Sequence, residues 1–588
     1  MDDAPATNVE WREWGQDAFE EAERAGKPVL LALTTAWCAE CREMDETTYT
    51  DPRIAANLND GFVPVRVDAD RRPRVRDRYN MGGFPSTVFA TPSGQVIAGA
   101  TVLGPDGFRE ILDSVREAWE AKGEDAGSIP RALRDAEPPG GDLDSRAEEA
   151  MIEQLLTAYD GEFGGWGTDV KFPLPRTIEF ALVRARDQAT RTLEAVRTHL
   201  FDTSDGGFYR FAARRNWRDV RREKLTDENA ALLRAFAIAY RYTGEEAYRD
   251  TAVRTLAYLT AEGWTGQAFA AAQGGDEAYY GREPAAREDA DPPPVDETVL
   301  ADRNGLAIDA CCWFHAYTDD ERAATFARRA RDHVAETLVA DDGRVAHYDG
   351  PEAAAGLLLD QARLLQGLTS SWQVLGEPGP ARAVADWTLE NRRAGGGGDG
   401  RGERTESGNG GGGRRERERG GGGDRRAETR AGAFTDGPTA GPGLCSEPLW
   451  PLEANVEAAD ALLDLALLTG EGRYRDAARD AVAAFGNAAE RMGVEVAGYA
   501  TAVARLRSPV AVEVGAPAGS DLHRAALRLA DHEAVVVPAA DRGPDHPPGG
   551  FDRADPPEAG EAIRRVDGAV TGRAGDPSGL EELLTSTS

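Results

Sequence analysis

Lysine is nearly absent from this chain. Only four of its 588 residues are lysines, so arginine supplies the other 64 of 68 basic side chains, against 102 acidic ones. The net charge of −34 repels phosphates and anionic lipids, which argues against a general nucleic-acid or membrane role. No aspartate cluster has the spacing of an EF-hand. We interpret the acidity as a surface adapted to molar salt, where the Debye length falls to about 3 Å.

Long apolar runs and a basic leader are also missing. No stretch approaches the ~18 apolar residues of a membrane span. The acidic start of the chain lacks the basic-then-apolar layout of a secretion signal. Because 41% of the residues are apolar, the chain can bury real cores, and its length predicts several domains. We therefore expect a soluble, cytoplasmic, multidomain protein.

Cysteine is scarce as well, and five residues are too few for a disulfide scaffold. Cys38 and Cys41 form a C-x-x-C pair, which in a reducing compartment indicates redox chemistry or metal binding. A zinc site would need two further Cys or His ligands at short spacing, and none follows. The seven histidines are scattered. We predict no metal site, and we expect the neighbours Cys311 and Cys312 to be core residues of an apolar helix.

The composition changes along the chain and divides it into segments. Residues 1–121 alternate helix and strand patterns, which predicts a compact α/β domain, and 122–144 is a linker rich in Gly, Pro and Asp. Paired helices over 145–500 predict a closed helical toroid. Within it, 394–430 is dominated by Gly, Arg and Glu, and we expect this insertion to be disordered. Residues 501–588 predict a small α/β appendage whose end, beyond about 541, is frayed.

The C-x-x-C pair stands where a strand pattern gives way to a helix. Free N–H groups at a helix N-terminus stabilise a thiolate, so Cys38 is the candidate nucleophile and Cys41 the resolving thiol. Pro85 follows Cys41 by 44 residues, at the entry to the next strand, and is a candidate cis-proline. We expect Trp37, Phe84 and Pro85 to form a surface that docks a substrate backbone.

These motifs resemble the thioredoxin fold. More specifically, the chain resembles the family called YyaL in bacteria and spermatogenesis-associated thioredoxin-domain protein in animals. The resemblance continues through the helical region, at residues 161–166, 171–173, 206–210, 223–224, 303–306 and 451–455. It implies a thioredoxin-like domain fused to an all-α (α/α)6-type barrel akin to sugar epimerases and glycosidases. The acidic, arginine-for-lysine composition is similar to that of halophilic archaeal proteins.

The family motifs also supply candidates for a pocket in the barrel. Paired carboxylates can act as acid and base, and aromatic rings can stack on sugars. The candidates are Glu223, Lys224, Asp227, Asn304, Glu453 and Asn455, with Trp166 and Tyr209 as stacking surfaces. In a chain with 102 acidic residues, the alternative is that these are solvated or packing residues. A sugar is the possible ligand.

Departures from the family pattern bear on both domains. Ala39 and Glu40 stand between the cysteines, where the family has His and Trp, and Ala32 replaces the buried aspartate of thioredoxins. Because a nearby carboxylate disfavours a thiolate, we predict a more reducing dithiol whose Cys38 has an unexceptional pKa. Arg303 replaces the family's tryptophan, so any activity of the barrel is expected to be lost or altered.

Three functional hypotheses follow from these observations. The first is a thiol–disulfide oxidoreductase that needs no cofactor, with an unknown protein disulfide or reductase as partner. The second is a carbohydrate-active or sugar-binding barrel in which the thioredoxin-like domain is structural. The third is a non-catalytic interaction scaffold.

Overall fold

The structure is a computed structural model that describes residues 7–134, 136–393, 432–539 and 555–585. The insertion at 394–430, predicted to be disordered, lies outside these ranges. Across the described ranges, we find no helix that combines the length and the apolarity needed to cross a bilayer.

The N-terminal unit is the predicted thioredoxin-like domain, with helices on both faces of a five-stranded sheet. Val29–Thr34 is the central strand and is buried almost throughout, because both faces of the sheet are covered. In sheet order the strands are Arg12–Glu13, Val63–Asp68, Val29–Thr34, Ser86–Ala90 and Val96–Ala100. The first three strands are parallel to one another. Ser86–Ala90 is antiparallel to Val29–Thr34, and Val96–Ala100 is antiparallel to Ser86–Ala90. The helices are Gln16–Ala25, Ala39–Thr47, Pro52–Gly61, Pro73–Tyr79 and Pro105–Lys122.

Residues 147–507 form the predicted (α/α)6 barrel, in which twelve described helices alternate between an outer and an inner ring. The outer helices are Ala147–Ala158, Arg186–His199, Glu246–Ala261, Glu321–Thr337, Ala381–Arg392 and Gly472–Ala483. The inner helices are Pro175–Arg184, Thr226–Thr243, Ala301–Thr318, Leu358–Leu375, Leu452–Thr469 and Gly498–Arg507. Each inner helix contacts the next, and the last contacts the first, so the ring is closed. The sixth inner helix extends the barrel beyond the expected boundary at 500.

Two glycines explain how closely the inner helices pack. A Cβ atom at Gly305 would lie 2.4 Å from the backbone of Arg363, and one at Gly367 would lie 2.6 Å from the carbonyl oxygen of Gly305. The helices Ala301–Thr318 and Leu358–Leu375 therefore touch backbone to backbone. This contact gives the Asn304-Gly305 dipeptide a packing role in the barrel.

Short elements line the barrel's loops at the end where the inner helices begin. The strands are Phe211–Ala212, Val220–Arg221, Lys224–Leu225, Ala272–Gln273 and Val295–Asp296. Short helices lie at Glu277–Tyr280, Pro284–Arg287, Gly443–Ser446, Gly486–Arg491 and Val494–Val496. Two further short helices, Gly123–Ala126 and Arg131–Arg134, belong to the linker before the barrel.

The C-terminal appendage is more ordered than expected. The strands Val535–Val537, Val510–Val514, Ala562–Val566 and Ala569–Ala574 form one sheet in that order, and it packs with the helices Asp521–Leu529 and Pro577–Thr585. The sequence analysis expects the end of the chain to be frayed beyond about 541, whereas residues 555–585 complete this sheet. The short strand Ala562–Val566 pairs with Val510–Val514, a partner about 50 residues away. Local composition does not reveal that pairing.

The thioredoxin-like domain lies against the loops at the N-terminal ends of the inner helices. Arg303 Nη2 donates to Asp70 Oδ1 at 2.8 Å, and Arg78 Nη1 donates to Asp436 Oδ2 at 2.7 Å. The side chains of both arginines are at most 6% exposed. The sequence analysis does not predict this docking, which places the C-x-x-C pair inside a domain interface.

Candidate functional site

The dithiol lies where the central strand leads into the helix Ala39–Thr47. Cys38 is the N-cap of that helix and forms a disulfide with Cys41. The backbone N–H of Cys41 donates to Cys38 Sγ at 3.1 Å. After reduction, this N–H and the helix N-terminus favour a thiolate on Cys38.

The substrate-docking residues predicted beside the dithiol come together around it. The Phe84–Pro85 peptide bond is cis. The rings of Phe84 and Trp37 meet edge to face with centroids 5.8 Å apart, and both side chains belong to the apolar cluster that includes Cys38 and Cys41. The local geometry is therefore that of a thioredoxin-like redox site.

Residues of the barrel lie over this site. Cys38 is only 1% exposed and Cys41 only 4%, because Leu225 and Ala272 of the barrel pack onto them. The backbone N–H of Gly275 donates to the carbonyl of Trp37 at 3.4 Å. A dissolved disulfide substrate has no access to Cys38 while these contacts persist.

Asp70 joins the dithiol to the barrel. Its carboxylate accepts the indole N–H of Trp37 at 2.7 Å and, through the other oxygen, Arg303 Nη2 at 2.8 Å. Its backbone carbonyl lies 2.7 Å from His347 Nε2, which donates to it. Arg303 also donates to the carbonyl of Ala271. The arginine at the position of the family's tryptophan thus braces the interface.

Glu40, inside the C-x-x-C motif, is paired with a cation of the barrel. Its carboxylate accepts Arg221 Nη1 in an ion pair at the domain interface. The prediction of a more reducing dithiol assumes an unpaired Glu40 charge. Because Arg221 offsets that charge, the basis for the prediction is weakened while the domains are docked.

Lys224 holds a loop together and does not face a pocket. Its ammonium donates to Asp202 Oδ2 at 2.9 Å and to the carbonyl of Gly206 at 2.8 Å, and its side chain is fully buried. Lys171 makes the same arrangement with Asp160 at 3.0 Å. Both lysines brace loops between successive helices of the barrel.

Asn304 and Asn455 are also occupied by backbone groups. The Asn455 side chain accepts the N–H of Phe434 at 2.7 Å and donates to its carbonyl at 3.0 Å. Asn304 does the same with Phe269, and Asn229 with Phe208. Each amide secures the loop that precedes an inner helix, so none is free to bind a ligand.

The predicted stacking aromatics are packed within loops. Trp166 is 2% exposed and meets Tyr159 edge to face, with centroids 6.0 Å apart. Tyr209 is 8% exposed and meets Tyr280 in the same way at 5.2 Å. Both rings act as core residues of the barrel's loops.

Of the predicted carboxylates, Asp227 and Glu453 line a cavity of about 290 Å³ between the two domains. Glu223 is buried elsewhere in the interface, and its Oε2 has no hydrogen-bond partner among the described residues. Next to Asp227, burial and the Asp227 charge raise the pKa of Glu228 to about 8. The Glu228 carboxyl group therefore holds a proton at neutral pH.

The cavity has a charged floor whose residues are distant from one another in the sequence. Asp302, His347 and Asp360 line it from the barrel, and Asp70 and Arg76 line it from the thioredoxin-like domain. The described residues that line it include no phenylalanine, tyrosine or tryptophan. Sequence spacing could not indicate this group, because His347 precedes Asp360 by 13 residues and follows Asp302 by 45.

The remaining cysteines are structural. Cys311 and Cys312 are fully buried in the helix Ala301–Thr318, as predicted, and burial raises the pKa of both thiols. Cys445 lies in a segment rich in Gly and Pro, yet it is only 4% exposed because it packs against the thioredoxin-like domain.

Comparison with known proteins agrees with this description of the N-terminal domain. Residues 2–135 match the family Thioredox_DsbH, described as a protein of unknown function, DUF255. The match spans the thioredoxin-like domain. The same region is 32% identical over 123 residues to thiol:disulfide interchange protein DsbD 1 of Pseudomonas aeruginosa, covering 19% of this chain and 21% of that protein.

The similarity to spermatogenesis-associated protein 20 extends beyond this domain. The chain is 29% identical to the human protein over 327 residues, which is 49% of this chain and 39% of the relative's length. The chain thus spans less than half of that relative. Among solved structures, cellobiose 2-epimerase of Spirochaeta thermophila is 15% identical over 58% of this chain and 82% of its own, with a TM-score of 0.42. The protein therefore joins a thioredoxin-like domain, similar in sequence to DsbD proteins and to the Thioredox_DsbH family, to the helical barrel described above.

Proposed function

We propose that this protein is a thiol–disulfide oxidoreductase whose dithiol is controlled by its docked barrel. The observation that carries the proposal is the Cys38–Cys41 disulfide at a helix N-terminus, beside Trp37 and the cis bond before Pro85. A substrate backbone would lie along Phe84 and Pro85. This surface lies under barrel residues in the docked state.

In the proposed reaction, the Cys38 thiolate attacks one sulfur of a substrate disulfide. A mixed disulfide forms, and the other substrate sulfur leaves as a thiolate. Cys41, as a thiolate, then attacks Cys38 Sγ. This second step releases the reduced substrate and regenerates the Cys38–Cys41 disulfide, which an external dithiol reductant must reduce before the next cycle.

The burial of Cys38 adds a condition to this cycle. Because Leu225 and Ala272 pack over the dithiol, a protein disulfide can reach Cys38 only after the two domains separate. Such separation exposes the Trp37–Phe84 surface at the same time. We expect slow turnover in the docked state and faster turnover wherever docking is weakened.

The direct test is reductase activity on a model protein disulfide with dithiothreitol as reductant, in molar KCl to screen the charge of −34. Cys38→Ser should reduce the rate to the uncatalysed background. Cys311→Ser, at a buried cysteine in the core of the barrel, is the matched control and should retain the wild-type rate. Equal rates for wild type and Cys38→Ser would exclude the proposal.

The partner class follows from the same chemistry. We propose a protein disulfide as substrate, in a reducing compartment such as the cytoplasm, and neither nucleic acid nor membrane as partner. Cys41→Ser leaves Cys38 unable to resolve a mixed disulfide, so bound substrates accumulate on it. Mass spectrometry of the trapped species identifies them, and Cys38→Ser,Cys41→Ser is the control that should trap none.

The cavity between the domains favours a second candidate function, the binding of a small polyhydroxylated ligand such as a sugar. Its support is that Asp227 lines the cavity while Oδ1 of its carboxylate has no hydrogen-bond partner among the described residues. A ligand hydroxyl could donate to it. Thermal shifts across a sugar panel that vanish in Asp227→Asn would support this function, and no shift with any sugar would oppose it.

A further inference from the structure

Three buried side chains meet on the floor of the cavity between the domains. Asp302 and Asp360 lie in the first turns of two neighbouring inner helices, and His347 lies in the loop that leads from the outer helix Glu321–Thr337 into the second of them. Asp302 is 8% exposed, Asp360 1% and His347 3%. One potential ligand atom from each residue lies within 4.8 Å of the other two.

The histidine is oriented by a hydrogen bond outside this group. Nε2 of His347 donates to the backbone carbonyl of Asp70 at 2.7 Å. Metal-binding histidines commonly make such a bond through the nitrogen that does not bind the metal, because it fixes the tautomer and the ring orientation. The other nitrogen, Nδ1, faces the two carboxylate oxygens of Asp360 at 2.9 and 3.0 Å.

Asp302 supplies an independent observation. Its Oδ1 is buried and has no hydrogen-bond partner among the described residues, whereas its Oδ2 lies 3.4 Å from Arg363 Nη1. A buried carboxylate oxygen without a partner loses its hydration and gains nothing in return, which destabilises the folded state. Since Asp302 lines the cavity, a bound group there would satisfy this oxygen.

We infer that His347, Asp302 and Asp360 bind one divalent transition-metal ion at the floor of the cavity between the domains. His347 Nδ1 and one oxygen from each carboxylate are the protein ligands, and water in the cavity completes the coordination. The two carboxylates match the charge of a divalent ion. The imidazole favours Zn²⁺ or Mn²⁺ over Mg²⁺, which prefers an all-oxygen site.

The competing occupant is a proton, which would join Nδ1 to Asp360 without any metal. The two alternatives predict different metal affinities for the isolated protein. A proton-bridged pair has no affinity for metal ions beyond that of an acidic surface. A metal site binds one equivalent and depends on all three side chains.

Isothermal titration of the full chain distinguishes them. The protein is treated with EDTA, kept as the Cys38–Cys41 disulfide so that these thiolates cannot compete, and titrated with Zn²⁺ or Mn²⁺ in molar KCl to suppress surface binding. We expect one saturable equivalent and at least a 100-fold loss of affinity in His347→Gln and Asp360→Asn. His523→Gln is the matched control, since His523 is also buried with Nε2 bound to a backbone carbonyl, that of Gln373. Absence of saturable binding, or equal affinity in His347→Gln, would overturn the inference.

A second measurement keeps the test independent of how well the variants fold. Wild-type protein loaded with one equivalent of Co²⁺ is examined by X-ray absorption spectroscopy. We expect nitrogen and oxygen ligands that include one imidazole. Sulfur ligation, or a shell of oxygen alone, would refute the assignment even if the titration showed binding.

Discussion

Removal of the Arg303 side chain should expose the dithiol. Its guanidinium donates to Asp70 Oδ1 at 2.8 Å and to the carbonyl of Ala271 at 2.9 Å. Asp70 in turn accepts the indole N–H of Trp37, the residue that precedes Cys38. Arg303→Ala therefore breaks the connection that runs from the barrel to the dithiol.

The size of the effect on docking follows from the burial of the Arg303–Asp70 ion pair. The side chains of Arg303 and Asp70 are 6% and 4% exposed, and removal of one partner of a buried ion pair costs about 3–5 kcal/mol. In the separated state both groups are hydrated, so the loss falls on the docked state. Since about 1.4 kcal/mol corresponds to a factor of ten, the separated fraction should rise by roughly 10² to 10⁴.

The assay measures how fast dithiothreitol reduces the Cys38–Cys41 disulfide, followed by labelling of the new thiols with a maleimide. If reduction requires separation of the domains, the rate constant rises with the separated fraction. Arg322→Ala is the matched control, because Arg322 pairs with Asp320 at 2.7 Å on an exposed surface of the barrel. A folded Arg303→Ala protein whose disulfide is reduced within twofold of the wild-type rate would refute the reasoning.

Three further predictions concern the barrel and its interface with the thioredoxin-like domain. Burial raises the pKa of Glu228 from 4.5 to about 8, so between these pH values the folded state holds a proton that the unfolded state releases. The free energy of unfolding should therefore fall as the pH rises from about 4.5 to 8. In urea titrations, Glu228→Gln should remove this part of the pH dependence, and an unchanged pH profile in the variant would contradict the prediction. Lys224→Met should lower the free energy of unfolding by about 3 kcal/mol because it breaks the buried pair with Asp202; a Tm equal to wild type would show that the pair contributes little. Asn455→Ala leaves the N–H and carbonyl of Phe434 without their side-chain partner. We expect the free energy of unfolding, measured by chemical denaturation, to fall by about 2–3 kcal/mol. An unaltered denaturation midpoint would argue against a structural role for Asn455.

Local patterns were enough to predict the redox motif. Cys38, Cys41 and Pro85 lie at transitions between strand and helix patterns, and a helix N-terminus follows from sequence alone. The barrel of paired helices could also be predicted, because the apolar positions repeat with helical spacing. These features depend on neighbours in the chain.

The barrel candidates show where this reasoning stops. Asn304 and Lys224 have the residue types expected of a binding site, yet their partners are the backbone of Phe269 and the carboxylate of Asp202. Asn304 and Phe269 are 35 residues apart. Because a motif reports residue type and not the group that the side chain contacts, pocket residues and loop braces look alike in sequence.

The docking of the domains was beyond prediction for a statistical reason. Asp70 and Arg303 are 233 residues apart, in a chain with 68 basic and 102 acidic residues. Sequence alone offers thousands of such pairs and no reason to select this one. The same separation hides the group formed by Asp302, His347 and Asp360.

The scarcity of lysine acquires a physical meaning in this setting. Two of the four lysines, Lys171 and Lys224, are fully buried, and each ammonium bonds to one aspartate and one carbonyl inside a loop. A compact ammonium suits such a site, whereas the planar guanidinium of arginine needs a wider one. At the domain interface the opposite holds, since Arg303 and Arg78 each bond to a carboxylate and to backbone carbonyls at once. The bias toward arginine identifies no function in the sequence, but it suits the interface that buries the dithiol. Lys171 and Lys224 occupy sites that suit a compact ammonium group.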